Sequence, residues 1–251
     1  VAGGERWVSK LGWMVVSVAA LGFITSIFIK KLPAANPDLP VRLNPVQPTV
    51  DILRLTRRVR PVFLSVLAIS WFWFLGASFL SLLPNFCKDV LGGNETVVTL
   101  GLATFCVGIG FGSMLCERLS RQHLELGLVP LGSIGISVFA IDLAISGWRF
   151  VAPGGGVLLT VGQFLRQPVG IHVLFDLFMI AVFSGFYTVP LMTFIQQRSA
   201  GSERSRVIAG NNILNALLMV LSSIMLMGLM ARGVSIPGIF LILALLNVGV
   251  A

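Results

Sequence analysis

Residues 207–230 read VIAGNNILNALLMVLSSIMLMGLM, and this stretch decides the fold. Its second part, 217–230, carries no charge and breaks its apolar run only at Ser222, Ser223 and Gly228. A strand of a membrane barrel shows about ten residues of apolar–polar alternation, and none is present. A continuous run of about 20 apolar residues fits a helix through a bilayer, because a helix satisfies its backbone N–H and C=O groups within itself. Six further stretches approach the same test: 11–29, 62–83, 97–115, 127–147, 169–193 and 236–251. The last is short and ends at Ala251, so it is expected to be a span cut off. Asp142 and Asp176 are the acidic side chains inside these stretches. The reading is an all-α polytopic membrane protein.

Composition agrees. The chain has 251 residues, 18 basic and 10 acidic, and 11% are charged, where a soluble domain carries about 25%. With 56% hydrophobic residues and a mean hydropathy of +0.94, polar groups are too few to cover a soluble surface. A soluble enzyme, a secreted disulfide-stapled domain and a disordered chain are all excluded as classes. The net charge of +8 is diluted among long apolar runs, so no nucleic-acid partner is expected. Cys87, Cys106 and Cys116 are odd in number and show neither disulfide nor metal-ligand spacing, so no metal or cofactor is expected. Val1 in place of Met, and an end inside an apolar run, lead us to expect a piece of a longer polypeptide.

The positive charge is instead distributed by loop. One alternate set of loops holds Lys30, Lys31, Arg42, Arg54, Arg57, Arg58, Arg60, Arg118, Arg121, Arg198, Arg204 and Arg206; the other holds Arg6, Lys10, Lys88, Arg149, Arg166 and Arg232. The positive-inside rule puts the first, twice as basic, in the cytoplasm. The chain then divides into a transmembrane helix (1–29), a basic Pro-rich cytoplasmic linker (30–60) and a transmembrane bundle (61–251). Pro33, Pro37, Pro40, Pro45 and Pro48 make the linker extended and solvated. Residues 51–60 place Ile52, Leu55 and Val59 at helical spacing among four arginines. That reads as a basic helix on the anionic leaflet or as a simple topological stop. Residues 157–165 are apolar but too short to span, so a loop or a surface-lying helix is expected.

Several local segments carry a resemblance. They are Trp71-Phe72-Trp73-Phe74-Leu75-Gly76-Ala77, Leu83-Pro84-Asn85-Phe86, Lys88-Asp89-Val90-Leu91-Gly92-Gly93, Leu115-Cys116-Glu117-Arg118-Leu119-Ser120, Gly127-Leu128-Val129-Pro130, Val189-Pro190-Leu191 and Ile195-Gln196. The most specific runs from Arg204-Ser205-Arg206 to Asn211-Asn212-Ile213-Leu214-Asn215-Ala216. Over about 60–251 the chain resembles the lysophospholipid transporter branch of the major facilitator superfamily, above all members fused to a 2-acylglycerophosphoethanolamine acyltransferase. The resemblance implies the C-terminal six-helix bundle of that fold, with the last helix of the N-terminal bundle and the central cytoplasmic loop before it. It implies carriage of lysophospholipid across the bacterial inner membrane. The implied partners are the lipid bilayer, the N-terminal bundle of the same protein and a fused acyltransferase. One departure is that Gly112 is followed by Cys116-Glu117 where the general superfamily motif places Asp. The acyltransferase pair His-x-x-x-x-Asp is also missed by one residue at His172 and Asp176, so no catalytic residue is assigned. Two other readings stay open: a drug or small-molecule efflux carrier of the same fold, and a non-transporting domain that tethers an acyltransferase.

The candidate working residues are few. Asp176 lies seven residues, roughly 10 Å, into its span, where a carboxylate is costly unless paired, protonated or wetted. His172 shares its face at i−4. The two form a proton-titrating or headgroup-contacting pair, or an interfacial pair that orients the helix. Asp142, nearer a helix end, reaches water. Asn211, Asn212 and Asn215 place three amides on about one turn, either for interhelical hydrogen bonds or as a patch for a zwitterionic headgroup. Arg204 and Arg206 stand just outside, as phosphate attractors or as anchors. Trp71 and Trp73 either line an acyl-chain cavity or face lipid and neighbouring helices. Gly108 and Gly112 permit close helix approach, for packing or for sliding.

Overall fold

The computed structural model describes residues 2–29, 46–120, 123–150 and 158–250. The expectations on Lys30, Lys31, Arg42 and the prolines before Pro48, on Arg121 and on residues 151–157 lie outside them. Helices form at α1 (Ala2–Ile27), α2 (Val46–Arg57), α3 (Arg60–Asn85), α4 (Glu95–Ser120), α5 (Leu128–Arg149), α6 (Val161–Leu165), α7 (Pro168–Arg198), α8 (Arg204–Ala231) and α9 (Ile236–Val250). A π-helical turn, Phe86–Val90, extends α3 two residues after Pro84, where the missing N–H loosens the hydrogen-bond ladder. No β-strand forms among the described residues. Among the described residues, five helices are long and apolar enough to cross a membrane: Arg60–Val90, Glu95–Ser120, Leu128–Arg149, Pro168–Arg198 and Arg204–Ala231. The stretches Gly12–Ile27 and Ile236–Val250 are shorter apolar helices. The chain is thus an all-α, multi-pass membrane protein. Two compact units divide it, Val1–Val41 and Arg42–Ala251. The first contains α1.

In the second unit α7 is the hub, packed between α4 and α5, while α8 lies along α3 and α9 along α5. Glycine makes the α4–α7 approach possible. A Cβ on Gly108 would stand 2.7 Å from Phe178 O, and one on Gly112 would overlap the Val182 backbone. Gly185 returns the contact against Gly112. The glycines on α4 therefore serve packing that brings two backbones together without side chains between them. Hydroxyls inside the spans satisfy themselves on the preceding turn, as Ser78 does on Phe74 O (2.9 Å) and Thr188 on Ser184 O (2.8 Å).

The basic segment after the linker begins its helix earlier than its apolar spacing suggests, at Val46. Leu55 and Thr56 are buried, and Ile52 and Thr56 meet Gly210 of α8. The apolar face of α2 thus packs on protein, with Arg54 and Arg58 left exposed. Residues 158–165 form an extended piece and one turn of helix: Leu159 pairs with Gly93, and Thr160 and Gln163 make a capping box for α6.

Candidate functional site

Where α3, α4, α5 and α7 diverge near their middles, they leave an apolar cavity of about 150 Å³. Phe72, Trp73, Gly76, Phe79, Ile136 and Ile180 are among its walls. Phe72 is held by stacking on Tyr187, with ring centres 6.0 Å apart, and Tyr187 is fixed by donating its hydroxyl to Ala68 O at 3.1 Å. Ser184, a polar residue in the wall, donates its hydroxyl to Ile180 O (2.8 Å), so it presents little polarity to the space. Nothing lies within 4 Å of a Cβ built on Gly76. This glycine keeps part of the cavity open.

Trp73 joins the cavity to a polar seam between α3 and α8. The Asn215 amide is best satisfied with its oxygen accepting from Trp73 Nε1 (3.2 Å) and Asn211 Nδ2 (3.0 Å), and its nitrogen donating to Ser70 Oγ (2.9 Å) and Asn211 O (3.0 Å). Ser70 has one proton, which goes to Val66 O (2.9 Å), so accepting from Asn215 completes it. Asn211 Oδ1 is buried without a donor, while Asn212 is exposed on the next position. Arg204 is exposed and Arg206 half-buried at the start of α8. The structure therefore brings Asn211 and Asn215 together with Trp73, and leaves the two arginines a turn or two toward the helix start.

Trp71 does something different from Trp73. Its Nε1 donates to Asn247 Oδ1 (2.9 Å), and its ring stacks on Phe74 with centres 5.0 Å apart. Asn247 Nδ2 in turn donates to Ser133 O (2.9 Å), Ser133 Oγ (3.1 Å) and Ser137 Oγ (2.9 Å). Trp71 is part of a clamp tying α3, α5 and α9: it faces neighbouring helices and is not among the lining residues of the cavity. Asn247 went unnoticed in the sequence. Its signal was present: one amide in an otherwise apolar helix, and Ser133-x-x-x-Ser137 on a neighbouring span.

The third feature is a cluster at the opposite end of α5 and α7 from the asparagines. His172 Nε2 lies 2.9 Å from Asp142 Oδ2 and 3.6 Å from Asp176 Oδ2. Asp142 and His172 are about half exposed, but Asp176 is fully buried and both its carboxylate oxygens lack a hydrogen-bond donor. An open cleft of about 230 Å³ is lined by Asp142, Ser146, Arg149, Pro168, Val169 and His172. His172, Asp176, Ile180 and Ser184 follow at i, i+4, i+8 and i+12 along α7. Asp176 consequently sits between the cleft and the apolar cavity and lines neither. The pairing of His172 with Asp142, 30 residues away, was not legible in the sequence.

Fold and cavity together define a multi-pass α-helical membrane protein with an apolar cavity whose wall residue Trp73 hydrogen-bonds to a buried amide. Comparison with known proteins narrows this class. The chain is 28% identical over 193 residues to the lysophospholipid transporter LplT of Klebsiella pneumoniae, which is 76% of this chain and 42% of that protein. It is 26% identical over 222 residues to the lysophospholipid transporter LplT of Enterobacter sp. (strain 638), 85% of this chain and 48% of that one. The chain spans less than half the length of the curated relatives it matches. No family profile and no solved structure matches it.

Proposed function

We propose that this chain is part of a carrier that moves lysophospholipids across the bacterial inner membrane. The observation that carries the reading is the amphipathic character of the site, in which an apolar cavity shares Trp73 with the Asn211–Asn215 seam. A single acyl chain has the chemistry of the cavity wall. A zwitterionic headgroup has the chemistry of the amides, with exposed Asn212 as its first contact and the buried, unmatched Asn211 oxygen behind it. The transporter names of the relatives support the same substrate class. In this reading the chain supplies the C-terminal bundle of a major facilitator fold, and an N-terminal bundle closes the other side of the site. The carrier itself performs no covalent chemistry, and any fused acyltransferase would act on the delivered lysolipid. Arg204 and Arg206 anchor α8 at the cytoplasmic face.

The test is uptake by the purified protein in proteoliposomes, with labelled lysophosphatidylethanolamine set against cationic dyes. Lysolipid uptake that saturates, with no dye movement, is the expected result. Dye movement alone would replace this reading with an efflux carrier, and movement of neither would favour a tethering domain.

A further inference from the structure

We infer that Asp142, His172 and Asp176 form a binding site for one divalent transition cation of the zinc or manganese class, bridging α5 and α7 at their outer ends. The sequence supplies only the His172–Asp176 pair, at i, i+4 on α7; packing adds Asp142 from α5. One ligand atom from each residue lies within 4.8 Å of the other two. Ligands held tetrahedrally at 2.0–2.2 Å from zinc stand roughly 3.4 Å from one another, between the 2.9 and 3.6 Å separations that His172 Nε2 makes with the two carboxylates. Small side-chain shifts would complete three ligands, and water from the open cleft would fill the remaining positions.

An independent observation points the same way. Asp176 is fully buried in a membrane-spanning helix, faces the cluster and finds no donor for either oxygen. A carboxylate so placed needs a counter-charge or a proton. His172 cannot supply it fully, because its Nε2 is already at hydrogen-bond distance from Asp142. Even a protonated imidazole leaves two carboxylates with one positive charge. A divalent ion with neutral imidazole balances both carboxylates. Arg149 lines the same cleft but makes no ion pair with either acid. The donor set selects the metal: an imidazole with two carboxylates suits zinc or manganese, whereas magnesium and calcium favour all-oxygen sites and copper(I) favours sulfur. Access is from the cleft, past half-exposed His172 and Asp142 to the buried Asp176.

The experiment measures Zn²⁺ and Mn²⁺ binding to chelator-treated full-length protein in nanodiscs at pH 7.5. Calorimetry and metal analysis after dialysis give affinity and stoichiometry. One equivalent per chain is expected, weakened by about tenfold or more in each of Asp142→Asn, His172→Gln and Asp176→Asn. Asp89→Asn, outside the cluster, leaves binding unchanged. A monodisperse elution profile and an unaltered Tm without metal identify the variants that fold. If Asp176→Asn fails this check, His172→Gln at a half-exposed position carries the comparison. No saturable binding, or unchanged binding in a folded cluster variant, overturns the inference and leaves a shared proton as the counter-charge. Binding is read without transport, so this result and the lysolipid result stand or fall separately.

Discussion

Asn215 lies eleven residues into α8 and is buried, so its amide needs protein partners. It finds four, on Ser70, Trp73 and Asn211. Replacing it with Leu leaves the Trp73 and Ser70 partners unmatched while adding apolar surface that a membrane helix already has in excess. Interhelical hydrogen bonds of this kind contribute about 0.6–2 kcal/mol, so Asn215→Leu is expected to destabilise the protein by about that amount in SDS or thermal unfolding. Gly76 makes a contrasting case. Its Cβ position is open space in the cavity wall, and a glycine inside a helix is less favourable than alanine by about 1 kcal/mol. Gly76→Phe is therefore expected to keep or raise the Tm while most lysolipid uptake is lost. An equal fall in both would mean that the cavity is only a packing defect. At this scale the sequence showed which polar residues were out of place, Asp176 and the asparagines among them. It did not show the pairings, since Asp142 with His172, Ser70 with Asn215 and Asn247 with Trp71 join helices 30 to 176 residues apart in sequence.

The helices themselves were legible because hydrocarbon imposes one rule on all of them: an uncharged run long enough to cross. Each of the seven apolar stretches forms a helix, with Phe28, Ile29 and Gly127 just outside, but among the described residues only five of these helices are long and apolar enough to cross, and 11–29 and 236–251 fall short. What the apolar pattern could not distinguish was a face meant for lipid from a face meant for protein, since both are apolar. The docking of α2 turns on a single absent side chain, with Thr56 and Ile52 seated against Gly210. Valine at 210 would occupy the place of the Thr56 hydroxyl, yet it raises the helix propensity of α8. Gly210→Val is thus expected to lift α2 away and leave α8 folded. Faster tryptic cleavage after Arg54, Arg57 and Arg58 would report it. Gly228→Val, where a Cβ meets nothing within 4 Å, is the control and should leave the digestion pattern as it was.

For the molecule as a whole, helix order and charge asymmetry make one joint claim. If Arg60 marks the cytoplasmic start of α3, successive crossings by α3, α4, α5, α7 and α8 place Lys88, Arg149 and Arg232 outside and Arg118 and Arg198 inside. The α2 arginines then lie on the inner face, where anionic lipid holds them, and the cleft lined by Asp142 and His172 opens outward. Single cysteines in a background lacking Cys87, Cys106 and Cys116 test this. Arg166→Cys and Arg232→Cys are expected to react with an impermeant maleimide in intact spheroplasts, because both positions are exposed. Glu125→Cys, just before α5, and Ser202→Cys, between α7 and α8, are also exposed and should react only after permeabilisation. The reverse pattern would turn the bundle over. The cleft would then meet the cytoplasm, the amide seam would lie nearer the outer leaflet, and a lysolipid entering from outside would encounter the asparagines before the buried carboxylate.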